Sequence, residues 1–389
     1  MTFSSVALLI LNMFKDSAEF NVATILPQLF IAPACGATFS IARYKIKLSF
    51  FLGLNDIISA HIKSCLPKTW KGYRLIAGDG TTVSLPPSPQ VKKHFGIFDS
   101  TKSNKHTCLA NACMLYDVLS GLVLDTIIAP SSIGESTLIT PMINKAHFPG
   151  SIILLDRGFG YFSICKNLIN NELNYCIRIK ASQSTFAKKI LAAPLTDFIT
   201  DWVPGESERK TCKQGGLDVL PIRVRVTKII LDSGEMELLV SNPSIMDTID
   251  EAAMKELYAM RWGVEEGFKK LKPKMKLEQF GCRRHEGVYQ EFYAHIFVMN
   301  LVTIIGNEAE EAIKTKTKTR KLVYKYNWQN AFRFVRNKFI SIFSRREFLS
   351  SLECIINQIV NSLIAIKANR KFPRHEGGKR KPRFTQGYK

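Results

Sequence analysis

The first stretch of the chain alternates apolar and polar residues with the period of an α-helix. One apolar stripe is made of Val6, Leu9, Ile10 and Met13. Residues 40–63 follow as a basic amphipathic stretch. We therefore predict a helical module over residues 1–66, in which either core packing or DNA binding by the basic edges accounts for the pattern. The chain opens abruptly in an apolar segment, which is compatible with missing upstream residues.

From Arg74 onward the pattern changes to that of β-strands. Apolar and β-branched residues dominate the stretch from Arg74 to Leu85, and two more strands are predicted over residues 108–116 and 122–128. The turn-forming segment 117–121 joins the second strand to the third. These three strands are predicted to form a meander.

The next segment alternates helices and strands. Residues 140–147 are predicted to form a helix, with the threonine as N-cap and Pro141 in the first position. The apolar run Ser151–Leu155 is typical of a strand buried on both faces. A helix over 161–172 and a strand over 175–179 follow. A three-strand meander followed by helix, strand, helix and strand predicts an α/β (α+β) fold with a ribonuclease H-like core.

The rest of the chain completes a predicted division into six segments. Residues 183–245 are rich in Gly, Pro and β-forming residues, and further helices are predicted over 290–313 and 328–366. The predicted segments are a helical N-terminal module (1–66), the first part of the ribonuclease H-like core (67–182), a β-rich insertion (183–245), a core helix (246–285), C-terminal helices (286–366) and a basic tail (367–389).

One predicted helix, ending before Pro273, concentrates charged residues on one face. Its residues at spacings of three or four, which share that face, are Tyr258, Arg261, Glu265, Lys269 and Lys272. Trp262, Phe268 and Leu271 lie on the opposite flank and are expected to pack inward. An acid among bases suits a divalent metal ion and the phosphates on which it acts. The alternative is a solvated face with intrahelical salt bridges.

The charge of the whole chain favours a polyanionic partner. Lys and Arg number 54 against 33 acidic residues, a net charge of +21, within an otherwise ordinary composition of 46% hydrophobic and 22% charged residues. Nucleic acid is the first candidate and an anionic membrane surface the second. The apolar run Val6–Leu11 is far shorter than the roughly 20 residues of a spanning helix, so no membrane association is predicted. Nine scattered cysteines without a CxxC motif favour reduced thiols, as in a cytosol.

Two aspartates lie at corresponding places in the predicted core. Asp79 lies within the first strand, and Asp156 follows the fourth. These strands are neighbours in a ribonuclease H-like core, so their carboxylates can converge, with Glu265 completing a triad. Three carboxylates repel one another unless cations bridge them. Oxygen ligands favour two Mg²⁺ ions, or Mn²⁺ in their place, about 3.5–4 Å apart.

Each candidate has an alternative interpretation. Asp79 lies between two glycines and could be a turn residue, and Asp156 could form a salt bridge at the strand end. Glu266 could be the functional acid instead of Glu265, although it lies about 100° further round the helix. His94, His106 and His285 show no metal-ligand spacing and are predicted to be ordinary surface or core histidines.

Three motifs together resemble a known family. They are Gly-Asp-Gly-Thr-Thr-Val, Leu-Leu-Asp-Arg-Gly-Phe, and Tyr-x-x-Arg-Trp-x-x-Glu with a lysine seven residues after the glutamate. The order and spacing resemble the DDE transposases of bacterial insertion sequences, in the cut-and-paste group with a Tyr-Arg-Glu-Lys signature. The resemblance extends over most of the chain, from the N-terminal helices to the basic tail.

The resemblance implies a role for each residue of the motifs. Asp79, Asp156 and Glu265 would be the catalytic residues and the ligands of Mg²⁺ or Mn²⁺. The residues that would hold DNA phosphates are Tyr258, Arg261, Lys269 and Lys272. The partners implied are double-stranded DNA, as transposon ends and as target, and a second copy in a synaptic homodimer. The location implied is the bacterial cytoplasm, at the nucleoid.

One family feature is missing from the motifs. Some relatives carry a tryptophan late in the insertion that stacks on a flipped base of a hairpin intermediate, but none occurs between Trp202 and Trp262. Trp202 lies early in the insertion and is a weak substitute. The alternatives to a transposase are a nuclease on the same core that cleaves without joining, and a DNA-binding remnant of an element with a defective site.

Overall fold

The computed structural model describes residues 1–12, 15–99, 106–145, 148–182, 184–230, 234–343 and 347–366. The predicted basic tail, 367–389, lies outside the described residues, and so does the side chain of His106. The chain forms two compact units. We call residues 61–82 and 111–268 the sheet unit, and residues 1–60, 83–110 and 269–389 the helical unit.

Among the described residues, nine strands form one large sheet. They are β1 Arg74–Leu85, β2 Phe98–Asp99, β3 His106–Asp117, β4 Leu122–Pro130, β5 Ser151–Leu155, β6 Asn174–Ile179, β7 Asp197–Trp202, β8 Ile222–Ile230 and β9 Met236–Ser241. Their order is β2-β3-β1-β5-β6-β9-β8-β7, with β4 beside β3. β5 lies parallel to β1 and to β6. The central order β4-β3-β1-β5-β6 is that of a ribonuclease H-like fold, so the predicted fold class is confirmed.

The turn between β3 and β4 is fixed by a buried acid. Asp117 Oδ1 accepts hydrogen bonds from the N–H groups of Leu119 (3.1 Å) and Ser120 (3.0 Å). Its other oxygen accepts one from Arg74 Nε at 2.8 Å, and both of these side chains are buried. Gly121 supplies the positive φ of 75° that closes the hairpin. The predicted turn over residues 117–121 is therefore present.

The predicted insertion extends the same sheet. β9 pairs antiparallel with β6, and β8 and β7 continue outward from it. The predicted strands within 183–245 are present, but β7 was missed because only its last residue, Trp202, is buried. Trp202 is 1% exposed and stacks on Phe186 with ring centroids 4.4 Å apart. Trp202 is thus a core residue, and its ring is not available to a DNA base.

The helices, in chain order, are α1 Phe3–Asn12, α2 Ala18–Gln28, α3 Gly36–Ala42, α4 Leu48–Ser64, α5 Pro89–Phe95, α6 Glu135–Lys145, α7 Phe162–Asn170, α8 Thr185–Ala192, α9 Glu206–Gln214, α10 Glu251–Met260, α11 Gly263–Lys269, α12 His285–Glu308, α13 Glu310–Thr317, α14 Trp328–Asn337, α15 Phe339–Ile342 and α16 Phe348–Val360. Helices α1 to α4 confirm the predicted helical start of the chain. The C-terminal region is helical as predicted, with an additional antiparallel pair of strands, β10 Val323–Tyr326 and β11 Leu363–Ile366.

Helix α12 is the long apolar helix of the helical unit. Among the described residues it is long and apolar enough to cross a membrane by length and composition, yet 83% of that apolar stretch is buried inside the protein. Burial of this kind is also found in the central helix of a folded core.

Helix α6 begins earlier than its sequence suggested. It starts at Glu135 rather than near Thr140, and Pro141 lies within it. The Gly134 carbonyl accepts the N–H groups of Thr137 (3.0 Å) and Leu138 (3.2 Å), which forms the first turn before the proline. A buried face made of Leu138, Ile139, Met142 and Ile143 holds both halves of the helix against the core.

The predicted single helix over 258–272 is interrupted. α10 ends at Met260, and the N–H groups of Arg261, Trp262 and Val264 donate to carbonyls three residues back. This tight turn precedes α11. At its end, an added Cβ on Gly263 would lie 2.7 Å from Val118 Cγ1, so only glycine allows this close approach.

Pro273 does not end this helical segment, contrary to the sequence expectation. A π-helical turn, Lys270–Lys274, contains the proline. The Met275 N–H donates to the Lys270 carbonyl at 3.0 Å, five residues back. The wider turn accommodates a residue that lacks an N–H group, and such turns are frequent at functional sites.

Candidate active site

The two predicted aspartates belong to neighbouring parallel strands of the sheet unit, Asp79 within β1 and Asp156 directly after β5. Gly78 on β1 pairs with Leu155 on β5, so Asp79 and Asp156 each follow one member of this pair. Asp79 Oδ1 accepts a hydrogen bond from the Gly80 N–H at 2.8 Å. Asp156 caps the short 3₁₀ turn 157–159 by accepting the Gly158 N–H. The predicted adjacency of the two strands is confirmed.

The alternative interpretations of the aspartates do not fit this geometry. Asp79 lies within a continuous twelve-residue strand and is therefore not a turn residue. In the part of the chain that the structure describes, Asp156 has no ion-pair partner within 4.0 Å. Both carboxylates are therefore placed at the site by the strands that carry them.

The glycines on either side of Asp79 allow α6 to pass close to β1. An added Cβ on Gly78 would lie 2.7 Å from Ile139 Cδ1, and one on Gly80 would lie 2.3 Å from Glu135 Oε1. Glu135 and Ile139 are four residues apart and so share one face of α6. The Gly-Asp-Gly motif therefore admits one apolar and one acidic side chain from the helix.

Glu135 is a site residue that the sequence analysis missed. Its carboxyl group lies against Gly80, and burial followed by repulsion from Asp156 raises its pKa. The signal available in the sequence was an acid at the start of α6, the helix that follows β4. The predicted helix start near residue 140 placed Glu135 in a loop and concealed this signal.

The negative charge in this region is not fully compensated. Burial, with smaller contributions from the charges of Asp156 and Glu135, raises the pKa of Asp79 to about 6. The Gly80 N–H and the guanidinium of Arg261 act in the opposite direction. Net repulsion among partly buried carboxylates favours the binding of a cation.

Arg261 lies between two of the acids. Its Nη1 is 3.7 Å from Asp79 Oδ2, and its Nη2 is 3.8 Å from Glu265 Oε1. These distances exceed those of hydrogen bonds, so the attraction is Coulombic. Arg261 is 6% exposed, and within the described part of the chain its Nε has no hydrogen-bond partner. A buried guanidinium therefore supplies positive charge beside two of the acids.

Two aromatic residues flank Arg261. Its guanidinium carbon is 4.9 Å from the Trp262 ring centroid and 5.8 Å from that of Tyr258. Tyr258 is 6% exposed, and burial raises the pKa of its phenol. Trp262 is 46% exposed, so its predicted inward packing was wrong, because the tight turn at 261–262 shifts the helix phase. Phe268 and Leu271 are buried as expected.

The pairing with Arg261 distinguishes Glu265 from Glu266. The Glu265 carboxylate is half-buried and contacts the same guanidinium as Asp79, whereas Glu266 is exposed. Glu265 is thus the acid that shares a partner with the first aspartate. Its assignment as a metal ligand stays a prediction.

The two predicted lysines lie in the helical unit. Lys269 is exposed at the end of α11. Lys272 is half-buried in the π-helical turn, with its Nζ 3.7 Å from Glu278 Oε1. Burial lowers its pKa, and Glu278 opposes that shift. Because Glu278 Oε1 also accepts the Ser84 N–H at 3.0 Å, Lys272 is tied to the local structure.

The donor chemistry of the site fits a divalent metal ion, although the side chains are not gathered around one. Asp79, Asp156, Glu265 and Glu135 supply hard oxygen ligands of the kind that Mg²⁺ prefers. Among the described residues, no three His, Cys, Asp or Glu side chains converge at metal-site spacing. Instead the guanidinium of Arg261 lies between two of the acids.

The sheet has a ribonuclease H-like strand order, with one acid within its central strand β1 and another directly after the adjacent strand β5. Residues 70–301, more than half of the chain, match the family model described as transposase DDE domain, and the chain belongs to this family. No curated protein matches the sequence. Among solved structures, the piggyBac transposase synaptic complex with hairpin DNA is similar, with 11% identity, 91% of this chain and 76% of that chain covered, and a TM-score of 0.49.

Proposed function

We propose that this protein is a DNA transposase that binds terminal inverted repeats, cleaves the element ends by metal-dependent hydrolysis and transfers the 3′ ends to target DNA. The observation that carries the proposal is the placement of Asp79 within β1 and of Asp156 directly after the adjacent parallel strand β5, with Glu265 joined to Asp79 through Arg261. All four residues lie within the segment that matches the transposase family.

The acids are proposed to hold the metal. Asp79, Asp156 and Glu265 would be the ligands of two Mg²⁺ ions, with Mn²⁺ as a substitute. Such ions, when bound, activate water or a 3′ hydroxyl and stabilise the leaving oxygen. Glu135 adds negative charge beside these ligands and so strengthens the attraction for cations.

The bases are proposed to hold phosphates. Arg261 pairs with Asp79 and Glu265, and with divalent ions held by these acids it would be available for a bidentate phosphate contact. Lys269 and Lys272 follow it along the same segment, and the Tyr258 ring supports the guanidinium.

The proposed partners are double-stranded DNA, as element ends and as target, and a second copy of the chain in a synaptic homodimer. The net charge of +21 supports a polyanionic partner. A transposase of a bacterial insertion sequence would act in the cytoplasm, at the nucleoid. No membrane partner is proposed.

The test is incubation of the protein with the element's own ends, Mg²⁺ and a supercoiled target, with nicks, hairpins and joined products resolved separately. We expect Asp79→Asn, Asp156→Asn and Glu265→Gln each to abolish nicking while terminal-repeat affinity is kept. Glu266→Gln is the matched control and should nick normally.

Other outcomes would contradict the proposal in distinct ways. Nicks without joined products would indicate a nuclease on the same core. DNA binding without any nicking would indicate a defective remnant of an element. A Glu265→Gln protein that nicks at the wild-type rate, with Glu266→Gln inactive, would show that the neighbouring acid is the functional one.

A further inference from the structure

A cavity of about 390 Å³ lies in the helical unit, between α5 and the beginning of α12. The residues that line it are Gln90, Lys93, His94, Arg284, His285 and Glu286. Four of these six side chains are basic or can become cationic, and one is acidic. Its two histidines carry no metal-ligand spacing in the sequence, which predicts ordinary surface or core positions for them.

The two histidines are held in a fixed arrangement. The imidazoles of His94 and His285 stack with centroids 4.2 Å apart and planes 12° from parallel. His94 Nε2 is within 3.0 Å of the Tyr289 hydroxyl, so one nitrogen of that ring is already engaged. Because α5 carries one ring and α12 the other, the stack joins the two walls of the cavity.

The surrounding backbone is also joined across the cavity. Ser88, the N-cap of α5, donates a hydrogen bond from its hydroxyl to the Arg283 carbonyl at 2.6 Å. The adjacent Arg284 guanidinium lies 4.6 Å from the Tyr44 ring centroid. These contacts hold Arg284 in place before any ligand binds, which reduces the entropy cost of binding.

The charge of the cavity suits an anion. Lys93 and Arg284 are exposed cations, and the single acid, Glu286, is 3.4 Å from His285 Nδ1. Burial and the neighbouring His285 lower the pKa of His94. A phosphate oxygen would accept hydrogen bonds from Lys93 and Arg284, which are charge-assisted and therefore strong.

We propose that this cavity binds a phosphate group of the DNA backbone, an inference that rests on the proposed DNA-binding function. Free inorganic phosphate has the same chemistry. DNA is favoured because five of the six lining residues are exposed, so the site is open to a long ligand. A duplex presents many phosphates to a chain with a net charge of +21, so it can make several ionic contacts at once. A free phosphate ion can make contacts at only one site.

The first test is binding of a short duplex of unrelated sequence over a range of salt concentrations. Each of Arg284→Ala and Lys93→Ala should weaken binding about tenfold at fixed salt, as loss of a charged hydrogen bond does. Each should also reduce the slope of log K against log salt by about 0.9. Glu286→Gln should strengthen binding, because it removes the acid that competes with the phosphate.

Lys318→Ala is the matched control. Lys318 is exposed in the same unit, next to the end of α13, and its loss changes the net charge equally. Equal weakening by Lys318→Ala and Arg284→Ala would overturn the inference, since net charge alone would then explain both. Failure of the wild-type protein to bind DNA would instead reject the proposed function and the inference together.

The second test follows the imidazole resonances of His94 and His285 in full-length protein with isotopically labelled histidine. The duplex should shift both, and Arg284→Ala should reduce the shift at the same duplex concentration. Inorganic phosphate should produce a similar shift only at much higher concentration. Saturation by dilute inorganic phosphate that the duplex cannot reverse would overturn the assignment to DNA.

Discussion

Replacing Arg261 by methionine tests the central electrostatic feature of the candidate active site. The guanidinium is buried and lies 3.7 Å from Asp79 and 3.8 Å from Glu265. Methionine fills similar space without the charge. In metal-free solution we expect Arg261→Met to be less stable than the wild type, because two carboxylates lose their shared cation. With a divalent ion present we expect the variant to gain more stability than the wild type.

The magnitude follows from the geometry. Two unit charges at about 4 Å attract by roughly 4 kcal/mol at an effective dielectric constant near 20. Desolvation of the guanidinium and the 36% exposure of the Glu265 side chain reduce the net free energy that these ion pairs contribute. We take that contribution as about 1–3 kcal/mol. If a metal ion must displace the ion pairs of Arg261 in order to bind, then removing those ion pairs by mutation tightens metal binding. The gain is about tenfold for each 1.4 kcal/mol that the ion pairs contribute.

The assay is thermal unfolding with and without Mn²⁺. At a metal concentration of about 100 times the wild-type Kd, the wild type gains about 2.7 kcal/mol, and a variant that binds tenfold more tightly gains about 4.1 kcal/mol. The additional rise in Tm is then roughly 2 °C for a chain of 389 residues. Arg178→Met is the control, because the ion pairs of Arg178 are with Glu235 and Glu237. Its metal-induced rise should equal that of the wild type.

A metal-induced rise in Arg261→Met no larger than in the wild type would refute the reasoning. It would show that Arg261 does not compete with the metal. In that case the ion pairs of Arg261 would persist in the metal-bound protein. The proposal that metal binding frees Arg261 for a phosphate contact would then have no support.

Two further predictions concern other ionisable groups. Glu135→Gln removes a negative charge beside Asp79, so Mn²⁺ affinity measured by calorimetry on DNA-free protein should fall about tenfold; an unchanged affinity would separate Glu135 from the site. Lys15 is buried, and its pKa is lowered by desolvation from 10.5 to about 8. Between those pH values the unfolded chain holds the extra proton, so stability to urea should rise with pH in the wild type. Lys15→Met should lack this part of the rise, and identical pH profiles would contradict the assignment.

The sequence alone determined the central fold and the position of two acids. Two central strands were visible in the sequence, as the long β-pattern that ends at Leu85 and the uninterrupted apolar run of β5. Strands that are buried on both faces are apolar at nearly every position, which can be recognised without the structure. Asp79 lies within one of these strands and Asp156 directly after the other. Their adjacency follows from strand order, which three meander strands and alternating elements largely fix.

The tertiary structure decided what each of these side chains meets. Hydrophobic periodicity indicates which face of a helix or strand is buried. It does not indicate which residues of another element pack against that face. Glu135 therefore became visible only when α6 was packed over Gly80, and the His94 and His285 stack only when α5 met α12. Arg261 shares the predicted face with Glu265, yet its burial against Asp79 depends on a strand more than 180 residues earlier in the chain. Contacts of that sequence separation are set by the folded core, because no local pattern encodes them.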